Sequence, residues 1–417
     1  MLFYSLYNTQ SEVYVRQIIY TLKEHLDVSA FERAWKRVVE RHSILRTSIR
    51  WENLEEPVQE VHREVTLPFV RHDWRDLSAD EQVERLDDFC LADRARNFEL
   101  NKPPLLRLSL IRCGDDDYRL VWTFHHLISD RHSDILILKE VFALYDAISQ
   151  QGRDLDLPPA EPFHTYCEWL KQREQPDAET YWRRLFDNLS SFATTLPKSS
   201  RGESSGGRGG SFADLSTSLS EPLTTKLRDF VKHNDLTLNT IVQGAWALLL
   251  SRYSGAEEVV FGATRACRRS AFDGRGAGAI PGPCINTLPM RISVSPEERV
   301  LPWLKAIRAQ WFNLREFELT PLAKIQEWSG LPQGTQLFDS IVSFERAPLN
   351  SILQAQGGQW INRKLKNVQA LTNYNLTLVA FDAPCLTLTL TFNRQFFDDE
   401  IIRQLLDRFS RVLEKVV

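Results

Sequence analysis

The chain has 417 residues, more than one ordinary hydrophobic core accommodates, so its length predicts two lobes. Its 51 Lys and Arg residues against 55 Asp and Glu residues give a net charge of −4 without a basic tract, which argues against nucleic acid as a partner. No apolar run is long enough to cross a bilayer, and residues 1–4 lack the charged start of a signal peptide.

The six cysteines are scattered along the chain without paired spacing. Such spacing favours free thiols in a reducing cytoplasm over disulfides or a zinc site. We therefore expect a cytoplasmic protein that has no membrane partner and binds no metal.

Strand and helix patterns alternate along the whole chain. In the first half, the turn at 114–117 predicts a hairpin between two strands. In the second half, Gly255 is expected to close the strongest helix as its C′ residue, and the strict Leu/Thr alternation near the C-terminus predicts a strand with one buried face. The predicted strands are 14–22, 105–113, 118–123, 258–262, 338–344, 376–381 and 386–392, and the predicted helices are 30–41, 80–95, 134–147, 238–253, 301–317 and 398–416.

Two histidines lie where a predicted strand ends and a predicted helix is about to begin. His125 and His126 follow the strand 118–123, Asp130 comes four residues later, and Ser133 is available as N-cap of the next helix. Because side chains alternate across a strand, His125 and His126 should point to opposite sides, so that one packs while the other faces an open site. Asp130 is close enough in sequence to orient them.

This arrangement suits the transfer of an activated acyl group. A histidine near its ordinary pKa can take a proton from an amine or hydroxyl nucleophile and return it to a leaving group. No Ser or Cys nucleophile is needed if the acyl group arrives as a thioester. A histidine pair alone is more often an ordinary polar pair at a strand end, but the added Asp130 and the helix after it favour a functional role.

An Ala-Trp pair occurs in a predicted helix of each half, at Trp35 and at Trp246. Two lobes of similar build would explain this weak repeat. Only the first half carries His-His-x-x-x-Asp, so we expect the site to lie between the lobes. We place the N-terminal lobe at 1–175 and the C-terminal lobe at 176–417, with a Gly/Ser-rich flexible loop at 197–210 and a bridging segment near 264–291.

Several segments together resemble the condensation domain of nonribosomal peptide synthetases. Each match alone is weak, but their order and spacing along nearly the whole chain are specific. The matching segments are 2–6, Arg-His-x-x-Leu-Arg-Thr at 41–47, His-His-x-x-x-Asp at 125–130, 166–169, 181–182, 245–255 and 285–291.

The resemblance implies an α/β (α+β) fold of two chloramphenicol-acetyltransferase-like lobes in a V, with a tunnel between them. It implies a monomeric acyltransferase in which an upstream carrier-bound thioester is attacked by the amine of a downstream carrier-bound aminoacyl group. Donor and acceptor carrier proteins and adjacent synthetase domains would be its partners. Phosphopantetheine arms would enter with the carriers, and no cofactor would be bound directly.

The resemblance also assigns roles to individual residues. His126 corresponds to the catalytic second histidine, as a base or as a group that holds the amine and the tetrahedral intermediate. His125 is expected to be structural, and Asp130 to pair with Arg46. Asn286 and Ser343 are assigned to the substrate tunnel.

The chain departs from the family pattern at two positions. Arg131 replaces the glycine that follows the signature Asp, and Arg346 replaces a common Asn. We expect Arg131 to support the site in an ordinary backbone conformation, with its side chain turned away from the tunnel and towards Asp134. The alternative function is a catalytically weakened module that docks carriers or tailoring enzymes, and a coenzyme A-dependent acetyltransferase fits less well.

Overall fold

The computed structural model describes residues 1–7, 12–151, 155–187, 196, 212–332, 335–346, 349–354, 363–370, 372–382 and 384–417. The predicted flexible loop at 197–210 lies outside the described residues. Within the described residues, the helices are α1 Leu2–Tyr7, α2 Val28–Arg41, α3 Ala79–Ala95, α4 Arg131–Gln151, α5 Phe163–Lys171, α6 Ala178–Phe186, α7 Glu221–His233, α8 Leu238–Ser254, α9 Val300–Asn313, α10 Leu322–Trp328, α11 Leu349–Gln354 and α12 Asp399–Glu414.

Thirteen strands alternate with these helices in the described part of the chain. They are β1 Val15–Leu22, β2 Thr47–Arg50, β3 Val58–Val61, β4 Phe69–Asp73, β5 Leu106–Gly114, β6 Asp117–His125, β7 Phe212–Ser218, β8 Glu258–Ala266, β9 Ile285–Ser293, β10 Ser340–Glu345, β11 Arg363–Ala370, β12 Leu376–Asp382 and β13 Leu386–Asn393.

The chain divides into two compact units. Unit 1 comprises residues 1–171, 271–284 and 349–373, and unit 2 comprises 172–270, 285–348 and 374–417. This division differs from the predicted one, which placed everything after 175 in the second lobe. The physical reason lies in strand pairing and packing. β11, although late in the chain, pairs antiparallel with β1, and Ala271, Ala277, Ile280 and Cys284 are buried in the core of unit 1.

Unit 1 is built on a sheet with strand order β11-β1-β6-β5-β4. The predicted hairpin of β5 and β6 is present and antiparallel. Asp27 is the N-cap of helix α2, and its side chain accepts hydrogen bonds from the backbone N–H groups of Ser29 and Ala30. The helix buries one apolar face that includes Trp35. Trp35 meets Trp122 of β6 at 5.1 Å between ring centroids, so the helix is anchored on the central strand.

Unit 2 is built on a second sheet with strand order β7-β13-β12-β10-β8-β9. Helix α8 is buried along most of its length, and Trp246 donates a hydrogen bond from Nε1 to Ser340 Oγ at 3.2 Å. Gly255 ends this helix in the left-handed conformation with φ 73, as its sequence position predicts. The leucines of β13 are buried and its threonines are half-buried, which confirms the predicted alternation.

Each predicted strand or helix is observed as an element of that type, but several observed elements were not predicted from the sequence. The missed elements include strands β3, β4, β7, β9 and β11 and helices α1, α7, α10 and α11. The six cysteines are free thiols, as their spacing predicts. Among the described residues, no helix is both long and apolar enough to cross a membrane.

Candidate active site

His125 and His126 lie at the end of the central strand of unit 1. His125 is the last residue of β6, and its backbone N–H donates to the carbonyl of Leu105 at 3.0 Å. The N–H of His126 donates to the carbonyl of Tyr14 at 2.8 Å, just before β1 begins. The backbone of both histidines is therefore held by neighbouring chain segments on both sides.

One ring nitrogen of His126 is hydrogen-bonded, and within the described residues the other has no hydrogen-bond partner. His126 Nδ1 lies 2.7 Å from the carbonyl oxygen of Ser129. Because a carbonyl oxygen can only accept, Nδ1 must carry the proton, and Nε2 presents its lone pair. This is the tautomer that an incoming amine requires if its N–H group is to donate to the ring.

The surroundings of His126 keep its imidazole neutral. Burial, followed by the positive charge of Arg16, lowers the pKa of His126 to about 4. At neutral pH the ring is therefore an acceptor at Nε2. A pKa this low makes it a weak proton acceptor, so the geometry favours holding and orienting an amine over complete removal of its proton.

His125 has the opposite arrangement. Its Nδ1 accepts a hydrogen bond from the N–H of Leu127 at 3.1 Å, so Nε2 carries the proton and donates to Ser5 Oγ at 3.2 Å. His125 is 1% exposed, and burial is the main cause that lowers its pKa to about 3. Both ring nitrogens are occupied, and the side chain supports β6 and α1.

Asp130 is the N-cap of α4. Its backbone carbonyl accepts from the N–H of Asp134, and its Oδ1 accepts from Ser133 N at 2.9 Å and from Ser133 Oγ at 2.7 Å. The prediction that Ser133 caps this helix was wrong, because the helix begins at Arg131 and the carboxylate three residues earlier reaches its first turn.

Asp130 and Ser133 also hold the segment 271–284 against the motif. Asp130 Oδ2 accepts from the backbone N–H of Cys284 at 3.0 Å, and Ser133 Oγ accepts from that of Gly282 at 2.9 Å. Gly282 has φ 147, and a Cβ placed there would lie 2.0 Å from Cδ2 of Phe163. Any other residue at this position would have a strained backbone and would clash with Phe163, so glycine is required where the segment lies against Ser133.

The predicted pair of Arg46 and Asp130 is not formed. Arg46 donates instead to the carbonyl oxygens of Val39 at 3.2 Å, of Arg63 at 3.0 Å and of His62. The reason is local. Arg46 ends a short 3₁₀ turn directly after α2, so its guanidinium reaches the last turns of that helix and the chain after β3.

Arg131 has an ordinary backbone conformation, as predicted. It is the first residue of α4, and among the described non-glycine residues those with positive φ are Tyr14, Asn53, Asn97, Asp235 and Phe272. Its charge acts on Asp134 and opposes the rise in the pKa of that carboxyl that burial causes. The main ion pair of Asp134 is with Arg16, whose Nη1 lies 2.8 Å from Asp134 Oδ2. Sequence reasoning missed Arg16, although a cation within a strand of buried residues is a recognisable signal.

Asn286 and Ser343 both belong to unit 2. The amide nitrogen of Asn286 donates to the carbonyls of Glu318 at 3.0 Å and Thr320 at 2.7 Å, so this side chain fastens the start of β9 to the turn before α10. Ser343 is half-buried on β10. Their assignment to a substrate tunnel stays a prediction.

A cavity of about 290 Å³ adjoins the His125 side of the motif. Apolar side chains line much of its wall, including Leu6, Trp51, Phe98 and Leu100. Arg107 stacks on Phe98 at 4.4 Å and donates to Asp93 Oδ1 at 2.8 Å, which holds this wall against the sheet.

This chain belongs to the condensation domain family, because the sequence profile of that family matches residues 1–417. It is 39% identical over 423 residues to a linear gramicidin synthase of Brevibacillus parabrevis, covering 99% of this chain and 8% of the relative. It is 35% identical over 367 residues to chondramide synthase cmdD of Chondromyces crocatus, covering 88% of this chain and 9% of the relative. The chain thus spans less than a tenth of the length of either relative.

The fold is shared with solved condensation domains. The starter condensation domain of rhizomide synthetase matches with a TM-score of 0.77 at 17% identity, covering 99% of this chain and 93% of that one. The X-domain from teicoplanin biosynthesis matches with a TM-score of 0.79 at 20% identity, covering 98% and 91%. The predicted family and the predicted mixed α/β fold of two chloramphenicol-acetyltransferase-like lobes are confirmed.

Proposed function

We propose that this chain joins a carrier-bound acyl or peptidyl thioester to the amine of a second carrier-bound aminoacyl group. The observation that carries the proposal is the fixed tautomer of His126, with Nδ1–H on Ser129 and the Nε2 lone pair available. In the condensation domain family this histidine stands at the position of the reacting amine, and the chain matches that family over its full length.

The chemistry follows from a neutral imidazole that accepts at Nε2. The amine donates one N–H to Nε2, which orients its lone pair towards the thioester carbonyl. A C–N bond forms, the C–S bond of the tetrahedral intermediate breaks, and the proton lost by the nitrogen ends on the departing thiol. The imidazole holds the N–H group of the cationic nitrogen in the intermediate, and that proton is transferred to the thiolate as it leaves.

The partners in this proposal are two carrier proteins, each delivering its substrate on a phosphopantetheine arm, together with the neighbouring synthetase domains. The domain would work as a monomer in the cytoplasm. Arg131 would support the motif from the first turn of α4, and Asn286 and Ser343 would line the path of the substrates.

A module that only docks carriers or tailoring enzymes is the second candidate. Its support is the similarity to the teicoplanin X-domain, which has been solved in a complex with OxyB. The hydrogen-bonded His126, the buried His125 and the capping Asp130 favour the catalytic function, since docking requires none of these contacts.

The decisive experiment is a reconstituted condensation with loaded donor and acceptor carriers. We expect His126→Ala to lower the rate by about two to four orders of magnitude with an unchanged fold. His25→Ala, which removes an exposed histidine that pairs with the surface residue Asp116, is the matched control and should keep the wild-type rate. Equal rates for wild type and His126→Ala would refute the assignment, and a wild type that binds carriers without product would favour the docking module.

A further inference from the structure

A buried ion pair lies directly beneath the turn that carries His126. Arg16 is on β1, where it is opposite Phe124 of β6, and it is 4% exposed. Its guanidinium carbon lies 5.3 Å from the centroid of the Phe124 ring. Asp134, in the first turn of α4, is fully buried, and its Oδ2 lies 2.8 Å from Arg16 Nη1.

Ser129 connects this pair to His126. Ser129 Oγ donates to Asp134 Oδ1 at 2.6 Å, and the carbonyl oxygen of the same residue accepts from His126 Nδ1 at 2.7 Å. Ser129 is fully buried. A continuous set of contacts therefore runs from Arg16 through Asp134 and Ser129 to the His126 ring, whose Nε2 carries the lone pair.

Stability alone does not account for this pair. Taking two charges out of water is costly, and a well-packed apolar pair of similar size is often at least as stable. Within the described residues, Arg16 Nε makes no hydrogen bond, so the buried cation is incompletely compensated. Burial raises the pKa of Asp134, while the guanidinium and the hydrogen bond from Ser129 oppose that rise. The arrangement favours a defined geometry over maximal stability.

We propose that Arg16 and Asp134 are positioning residues for His126, acting through Ser129 to fix the ring orientation and the Nδ1–H tautomer. Arg16 anchors Asp134, Asp134 fixes the Ser129 hydroxyl, and Ser129 then presents its carbonyl to Nδ1. The benefit to condensation rests on the proposed function, whereas the effect on the tautomer is a property of the protein alone.

The charged and titratable groups around His126 come from three segments. Arg16 reaches it from β1, Asp130 from the capping position of α4, and His125 from the preceding residue. Arg16 lowers the pKa of His126 and Asp130 opposes that effect. Removing Arg16 together with Asp134 should thus change both the ring geometry and the pH profile of the reaction.

The test compares Ser129→Ala and the double variant Arg16→Met/Asp134→Leu with wild type. Ser129→Ala keeps both charges paired, and the double variant strands neither charge, so both should fold. In 15N-histidine NMR spectra, with the His126 signals assigned by their loss in His126→Ala, we expect wild type to show the Nδ1–H tautomer and both variants to show a mixture. In reconstituted condensation, kcat should fall about ten- to a hundredfold with little change in KM, because a misplaced catalytic ring acts on the chemical step. Arg16→Lys, which can keep the single N–O contact, should restore most of kcat.

Glu140→Gln is the matched control. Glu140 lies further along the same helix, and in the described part of the chain its ion-pair partners are Arg41 at 3.0 Å and His42 at 2.6 Å, outside the His126 turn. It should lose stability but keep the tautomer and kcat. A wild-type His126 tautomer in Ser129→Ala and in the double variant would overturn the proposal. If the NMR spectra show the expected tautomers but wild type forms no condensation product, only the proposed function is refuted.

Discussion

Replacing Asp130 by Ala tests whether this carboxylate serves as a buried helix cap or as the partner of Arg46. The carboxylate of Asp130 accepts hydrogen bonds from Ser133 N at 2.9 Å, from Ser133 Oγ at 2.7 Å and from Cys284 N at 3.0 Å. Loss of a helix cap costs about 1 kcal/mol. The buried N–H of Cys284 would be left without its acceptor, which adds about 1–3 kcal/mol.

The expected loss for Asp130→Ala is therefore about 2–4 kcal/mol. For a unit of this size, each kcal/mol corresponds to about 2–4 °C in the melting midpoint, so a fall of about 10 °C is expected. Asp398→Ala is the control, because Asp398 caps α12 at 2.8 Å from Ile401 N on the exposed surface and has no second segment to hold. Asp398→Ala should lose only the stabilisation from the helix cap, about 1 kcal/mol.

The double variant with Arg46→Ala decides between the two roles. Arg46 bonds to three backbone carbonyls and not to Asp130, so the two losses should add within about 0.5 kcal/mol. Denaturant titrations of the two single variants and the double variant give the coupling energy. A double variant markedly less destabilised than the sum would show that the two side chains interact and would refute this account.

Three further outcomes are expected. Arg131→Gly should leave condensation nearly unchanged and cost at most about 1 kcal/mol, because Arg131 already has helical geometry at the first position of α4; a rise in turnover from near zero would contradict this. The pKa values of His125 and His126 in the folded protein, about 3 and about 4, lie below the value near 6.5 of an unfolded histidine. Between these values the unfolded state binds more protons, so the free energy of unfolding falls as pH drops from 6.5 towards 4. Urea titrations at pH 7, 6 and 5 should show a loss approaching about 2.7 kcal/mol per pH unit for two protons, and a His125→Asn/His126→Gln variant should lack it. Gly282→Ala should destabilise unit 1 by more than about 2 kcal/mol, because the new side chain would be strained at φ 147° and would clash with Phe163. Adding Phe163→Ala should relieve the clash but not the backbone strain. A wild-type melting midpoint for Gly282→Ala would argue against this geometry.

The sequence predicted those features that depend on local pattern. The strand and helix that flank His125 and His126 follow from alternation and helical spacing, and Gly255 ends α8 because only glycine takes its left-handed conformation without strain. The family followed from motifs whose order and spacing along the chain are specific, and the sequence profile confirms it. Arg131 was correctly expected in an ordinary backbone conformation, because arginine is costly at positive φ.

The partners of the motif side chains could be decided only by the tertiary structure. The family resemblance predicted that Asp130 pairs with Arg46, yet Asp130 bonds to α4 and Cys284. Arg46 bonds instead to the last turns of α2 and to the chain after β3. The pairing of Arg16 with Asp134 joins residues more than a hundred positions apart, and β11 enters the sheet of unit 1 from late in the chain. Local pattern fixes which face of an element is buried, but hydrogen-bond partners depend on which distant segments the packing brings within about 3 Å of each donor and acceptor.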